Sequence, residues 1–151
     1  MTGVQTCALP IYFRSIIKLM KAYKANIEFL VLSNKNFRQV LHTSKSFQLV
    51  LMCLEPNQEI GYEVHETNDQ FFRFEKGQGK AFVDDASYDL NDGDVLIVPM
   101  GAKHNIINVS ESEPLLFYTL YSPPHHKDKT IHRTKSEAES DDEEFDGVTS
   151  E

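Results

Sequence analysis

From Ala25 to Tyr121 the chain is a succession of short β-type runs broken by turn residues, and no stretch of ten or more residues keeps a helical period. A strand shows its apolar side chains with period two, whereas a helix face needs period 3.6. The runs are NIEFLVL (26–32), FRQVLHTS (37–44), FQLVLMCL (47–54), GYEVH (61–65), QFFRFEKG (70–77), KAFVDD (80–85), SYDL (87–90), DVLIVP (94–99), HNIINV (104–109) and LLFYTLYS (115–122). Between them lie PNQ, GQG, DDAS, NDGD, PMGAK and SESEP, which supply the Gly, Pro, Asn and Asp that turns require. Strands at this even spacing predict an all-β sandwich or barrel, because pairing or closing two sheets protects their edges.

The ends of the chain read differently. Residues 1–12, MTGVQTCALPIY, are no secretory signal, since Thr2, Gln5, Thr6, Cys7 and Pro10 interrupt the only apolar stretch. Written back into codons, the segment resembles a sequencing-adapter oligonucleotide. Residues 1–19 are therefore expected to be a spurious leader, with Met20 as the native start. At the other end, Ser122-Pro123-Pro124 stops the last run, because proline cannot donate to a ladder. Residues 20–134 are expected to form one barrel whose C-terminal arm, from 123, lies over the surface or onto a partner subunit. Residues 135–151 carry eight acidic side chains against Lys135, so most of the net charge of −8 sits there. Low hydrophobicity and like charges in a row predict an acidic, disordered tail.

With the tail set aside, the body is nearly neutral and has no basic stripe to track phosphates, which argues against a nucleic-acid partner. No apolar run approaches the roughly 18 residues of a membrane span, so a soluble, cytoplasmic protein is expected. Discounting Cys7 leaves Cys53, in an apolar run, as a lone buried thiol suited to a reducing compartment.

Two blocks carry the chemistry, GYEVHETNDQFFRFEKG (61–77) and GDVLIVPMGAKHNIIN (93–108). Glu63 and His65 are two apart on a strand, so both side chains leave one face and can converge on one ion. Gln70 follows a turn marked by Asn68 and Asp69, and so returns beside them. Pro99-x-Gly101 makes a tight turn that sends out a new strand through His104. Phe72 and Phe74 share the parity of Gln70 and should line the interior; Arg73 has the opposite parity. His42, His125, His126 and His132 lie outside both blocks and are expected to be exposed.

The second block resembles the cupin superfamily. Gly93, Pro99, Gly101, His104 and Asn108 fill every fixed position of its motif G-x5-P-x-G-x2-H-x3-N. The first cupin motif, G-x5-H-x-H-x4-E-x6-G, is matched by His65 and Gly77, while Glu63 replaces the first histidine, Gln70 the glutamate and Asn57 the opening glycine. The resemblance, over residues 25–122, implies a small RmlC-like cupin: an antiparallel jelly-roll barrel (double-stranded β-helix), often a homodimer, with a divalent metal inside. Glu63, His65, Gln70 and His104 then become the candidate ligands for Fe, Mn, Zn or Ni, and Glu63 the candidate catalytic group. Their residue types, in another order, are similar to the ligand set of metal-dependent phosphomannose isomerases. Two function classes follow: a metal-dependent sugar or sugar-phosphate isomerase or oxygenase, and a non-catalytic small-molecule binding or sensing cupin with a metal-free polar pocket.

Overall fold

The computed structural model describes residues 21–151, so the leader expected at 1–19 lies outside the described residues. Among the described residues, ten strands and two short helices follow in the order α1 (Ile27–Ser33), β1 (Arg38–Thr43), β2 (Gln48–Leu54), β3 (Glu63–Val64), β4 (Asp69–Lys76), β5 (Gly79–Val83), β6 (Ala86–Leu90), β7 (Val95–Val98), β8 (Lys103–Asn108), β9 (Leu115–Ser122), β10 (Ile131–His132) and α2 (Lys135–Ser140). They form two antiparallel sheets, β10-β1-β2-β9-β4-β7 and β3-β8-β5-β6, packed as a jelly roll. Among the described residues no helix is long and apolar enough to cross a membrane.

NIEFLVL, expected as a strand, is the helix α1. Asn26 decides it: its side chain accepts a hydrogen bond from Phe29 N at 3.1 Å and so caps the first turn. Ile27, Leu30 and Val31 then share a face at helical spacing, and this face packs with Leu51, Cys53 and Leu116 on the outside of the larger sheet. The other nine runs are strands. Inward positions on β2, β4, β8 and β9 supply the main core, where Val50, Leu54, Phe72, Phe74, Ile106, Leu115 and Phe117 are almost fully sealed. Gly77, the closing glycine of the first motif, has φ +99, and a side chain there would meet Pro114 O at 2.5 Å.

Of the two courses expected for the C-terminal arm, the structure shows the one over the chain's own surface. The arm folds onto its own body as β10, pairing with β1. The acidic segment beyond it is held by side chains that composition did not reveal. His126 and His132, each 4% exposed rather than open to solvent, take Glu143 at 2.7 Å and Asp141 at 3.0 Å. Lys127 N donates to the second Glu143 oxygen at 2.7 Å, and Phe145 N to His125 O at 3.0 Å. Gln48 anchors the arm from below: its amide donates to His126 O at 2.7 Å and accepts from His126 N at 2.9 Å. A buried histidine beside a carboxylate offers an acidic segment something to bind, which charge counting along the sequence does not register.

Candidate metal centre

The two motif blocks meet where β3 pairs with β8, with Glu63 opposite His104. The Pro99–Gly101 turn makes the approach possible. Gly101 takes φ +82, a left-handed conformation that costs glycine little, and its N–H donates to His65 O at 2.8 Å. Met100 N donates to Asp69 Oδ1 at 2.9 Å, fastening the same turn to the start of β4. Asn108, the last fixed position of the second motif, acts at a distance: its amide holds Leu54 O, Glu55 O and Glu113 O.

Ligand atoms of Glu63, His65 and His104 lie within 4.8 Å of one another. Glu63 Oε2 is 3.3 Å from His65 Nε2, yet that nitrogen is sealed from solvent and makes no aligned hydrogen bond. Gln70, 2% exposed, is brought to the same place; its Oε1 stands 3.0 Å from His104 Nε2, and its amide nitrogen donates to Thr119 Oγ1 at 3.1 Å. His104 Nδ1 faces Ala102 O at 3.2 Å. A carbonyl only accepts, so this contact places the proton on Nδ1 and leaves the Nε2 lone pair pointing at another acceptor, Gln70 Oε1. Two lone pairs at that separation suit a shared cation: ligand atoms each ~2.1 Å from an ion and at right angles to one another stand about 3.0 Å apart. The donor set therefore fits a divalent metal.

Electrostatics agree. Burial pushes the Glu63 carboxyl up, but the contact with His65 and the positive field of Arg38 outweigh it, and the group is held below the ordinary carboxylate range. Burial pushes His104 down, so it is a neutral imidazole near pH 7, the form that binds metal. Burial also raises the Tyr121 phenol, which stays protonated.

Three residues at this site were invisible to the motifs. Arg38 places one guanidinium nitrogen 3.8 Å from Glu63 Oε1. Tyr121 crosses His65 edge-on at 5.5 Å between ring centres. His125 stands edge-on to His65 at 4.5 Å and is pushed down to about 4, by burial first and then by its histidine neighbours. Strand parity would have flagged Tyr121, which faces Gln70 across β4 and β9; nothing local flags Arg38 or His125. Arg73 points away, bonded to Gly93 O and paired with Glu75. His42 stacks on Tyr23 elsewhere.

The inner space is bounded on one side by Arg38, Glu63, Gln70, Thr119 and Tyr121 and on the other by Met52, Ile60, Phe72 and Phe117, and at about 10 Å³ it has room for one water or ion. Outside it a vestibule of about 260 Å³ is floored by Arg38 and Glu63, and walled by His125, His126 and side chains of the C-terminal segment.

The cupin domain family profile matches residues 50–121, which span both motif blocks. The chain belongs to the cupin family. Bacillus subtilis YrkC is 38% identical to this cupin over 124 residues, 78% of this chain and 66% of that protein. Protein L612 of Acanthamoeba polyphaga mimivirus is 39% identical over 109 residues, 70% of this chain and 68% of that protein, so this cupin spans about two-thirds of the length of these curated relatives. The solved structure of BH2720 from Bacillus halodurans superposes with a TM-score of 0.78 at 31% identity, covering 80% of this chain and 96% of that one.

Proposed function

We propose that this cupin is a metal-dependent enzyme for a small molecule, with Glu63, His65 and His104 as metal ligands and Gln70 as a neutral fourth. The observation that carries the reading is the convergence of three ligand atoms within 4.8 Å around a buried His65 Nε2 that has no hydrogen-bond partner. Two histidines and one carboxylate leave coordination positions open, a set associated with Fe(II) and acceptable to Mn, Zn or Ni. When bound, the ion supplies Lewis acidity, as a sugar or sugar-phosphate isomerase needs, or redox chemistry, as an oxygenase needs. The inner space is too small for an organic ligand, which supports binding in the vestibule, where Glu63 is the proposed ligand that lines both spaces. An isomerase also needs a group that takes up a proton, and burial makes His125, on the vestibule wall, too weak a base to serve well.

A metal-free polar pocket is the second reading, and Gln70 favours it. Turned by 180°, its amide would donate to His104 Nε2 and accept from Thr119, satisfying the pair without an ion. Elemental analysis after reconstitution with Fe(II), Mn(II), Zn(II) or Ni(II) separates the two. About one equivalent of one metal is expected; none with all four would leave the polar pocket. Loaded protein assayed for aldose–ketose exchange and for oxygen uptake then distinguishes isomerase from oxygenase.

A further inference from the structure

The site contains a cation that the metal reading does not use. Arg38 opens β1 and points inward, its side chain 11% exposed. Its Nε is sealed from solvent and has no hydrogen-bond partner, and Glu63 Oε1 stands 3.8 Å from its Nη2, beyond hydrogen-bond reach. The Nε–H is a charged donor, and leaving it unanswered in a buried site is costly. The acids on the vestibule wall do not answer it, because each is engaged elsewhere: Glu139 with Lys135 at 3.6 Å, Asp141 with His132, and Glu143 with His126. Among the described residues, Arg38 and Glu63 are also the only charged ones that line both the inner space and the vestibule.

We propose that Arg38 is the anchor for the carboxylate of a short oxo- or hydroxy-acid, whose neighbouring oxygen is thereby directed at Glu63, His65 and His104. The inference rests on the site proposed above and adds its substrate class. The planar guanidinium fork matches the two oxygens of a carboxylate. Glu63 Oε1 stands 3.8 Å from the Arg38 guanidinium, so an acid whose carboxylate Arg38 holds has its neighbouring oxygen on the Glu63 side. The tight inner space excludes a bulkier head at that end. Charge points the same way: with a divalent ion, Glu63 and Arg38 leave an excess of two positive charges in a buried place, which an anion balances.

The test uses the ¹⁵N-labelled full chain, as purified and after one equivalent of Zn(II), titrated with pyruvate, glycolate and oxalate and with pyruvamide, the neutral isostere of pyruvate. The acids should shift the Arg38 Nε–H and the Tyr121 and His125 amides, and pyruvate should bind at least tenfold tighter than pyruvamide in one of the two states. Arg38→Gln should erase that preference, and Arg38→Lys, which keeps the charge and loses the fork, should restore part of it. Equal binding of pyruvate and pyruvamide by the wild-type chain overturns the proposal without any variant having to fold, as does an absence of shifts with all three acids. A chain that prefers pyruvate but takes no Zn(II) keeps the anchor and loses the metal; one that takes Zn(II) without the preference does the reverse.

Discussion

Along β4 and β9 the inward residues face each other as Gln70 with Tyr121, Phe72 with Thr119 and Phe74 with Phe117. One parity and one pair of strands thus carry an apolar end and a polar end. The two ends are equally sealed: Phe74 and Phe117 are 0% exposed, Gln70 and Tyr121 2%. Burial therefore does not separate core from site here. Hydrogen bonding does, because the four buried side-chain nitrogens without a partner among the described residues, on Arg38, His65, His126 and His132, all belong to the polar end and the segment that covers it. Such groups weaken a fold unless something answers them, and so they mark where a ligand belongs.

The contrast can be broken from either end. Phe117→Ala should cost about 3–5 kcal/mol in urea unfolding, the range for emptying a phenylalanine site in a tight core. Gln48→Ala, which orphans both His126 backbone groups below the arm, should cost about 2–3 kcal/mol; equal costs for the two would mean that the arm is as much core as the phenylalanines. Acid should act on the polar end alone. His104, His125 and His126 are all pushed down by burial, so they stay neutral in the folded chain while the unfolded chain protonates them near pH 6.5. Their contribution is fully present above pH 6.5 and is lost as pH falls, for His125 down to about 4. In metal-free protein, His125→Gln should remove ~1–2 kcal/mol of that pH dependence, allowing for partial exposure; an unchanged pH profile would contradict the assignment. The smallest effect is expected from Glu143→Gln, at about 0.5–1 kcal/mol, with faster amide exchange at Lys127 and Phe145 as its signature.

The apolar end was legible in the sequence because period-two patterning is a local property: Phe72 and Phe74 are placed by parity with Gln70. His104 was legible for another local reason, the Pro99–Gly101 turn that fixes the start of β8. What was not legible depends on partners far along the chain. The helix at 27–33 hangs on one capping asparagine ahead of a run that suits either structure. Arg38 reaches the site from a strand with no motif, and His125 only because Gln48, 77 residues away, holds the backbone beside it. The acidic segment looked solvated because its charges are alike; the histidines that hold Asp141 and Glu143 lie outside it.

The central claim is that the polar end is a metal site and the apolar end is not, and metal content measures it directly. After reconstitution and desalting, wild-type protein and Phe74→Leu should each retain about one equivalent of a first-row divalent metal, and a folded His104→Ala should retain none. A wild-type chain that holds no metal after Fe(II), Mn(II), Zn(II) and Ni(II), or a His104→Ala variant that holds as much as wild type, would contradict it.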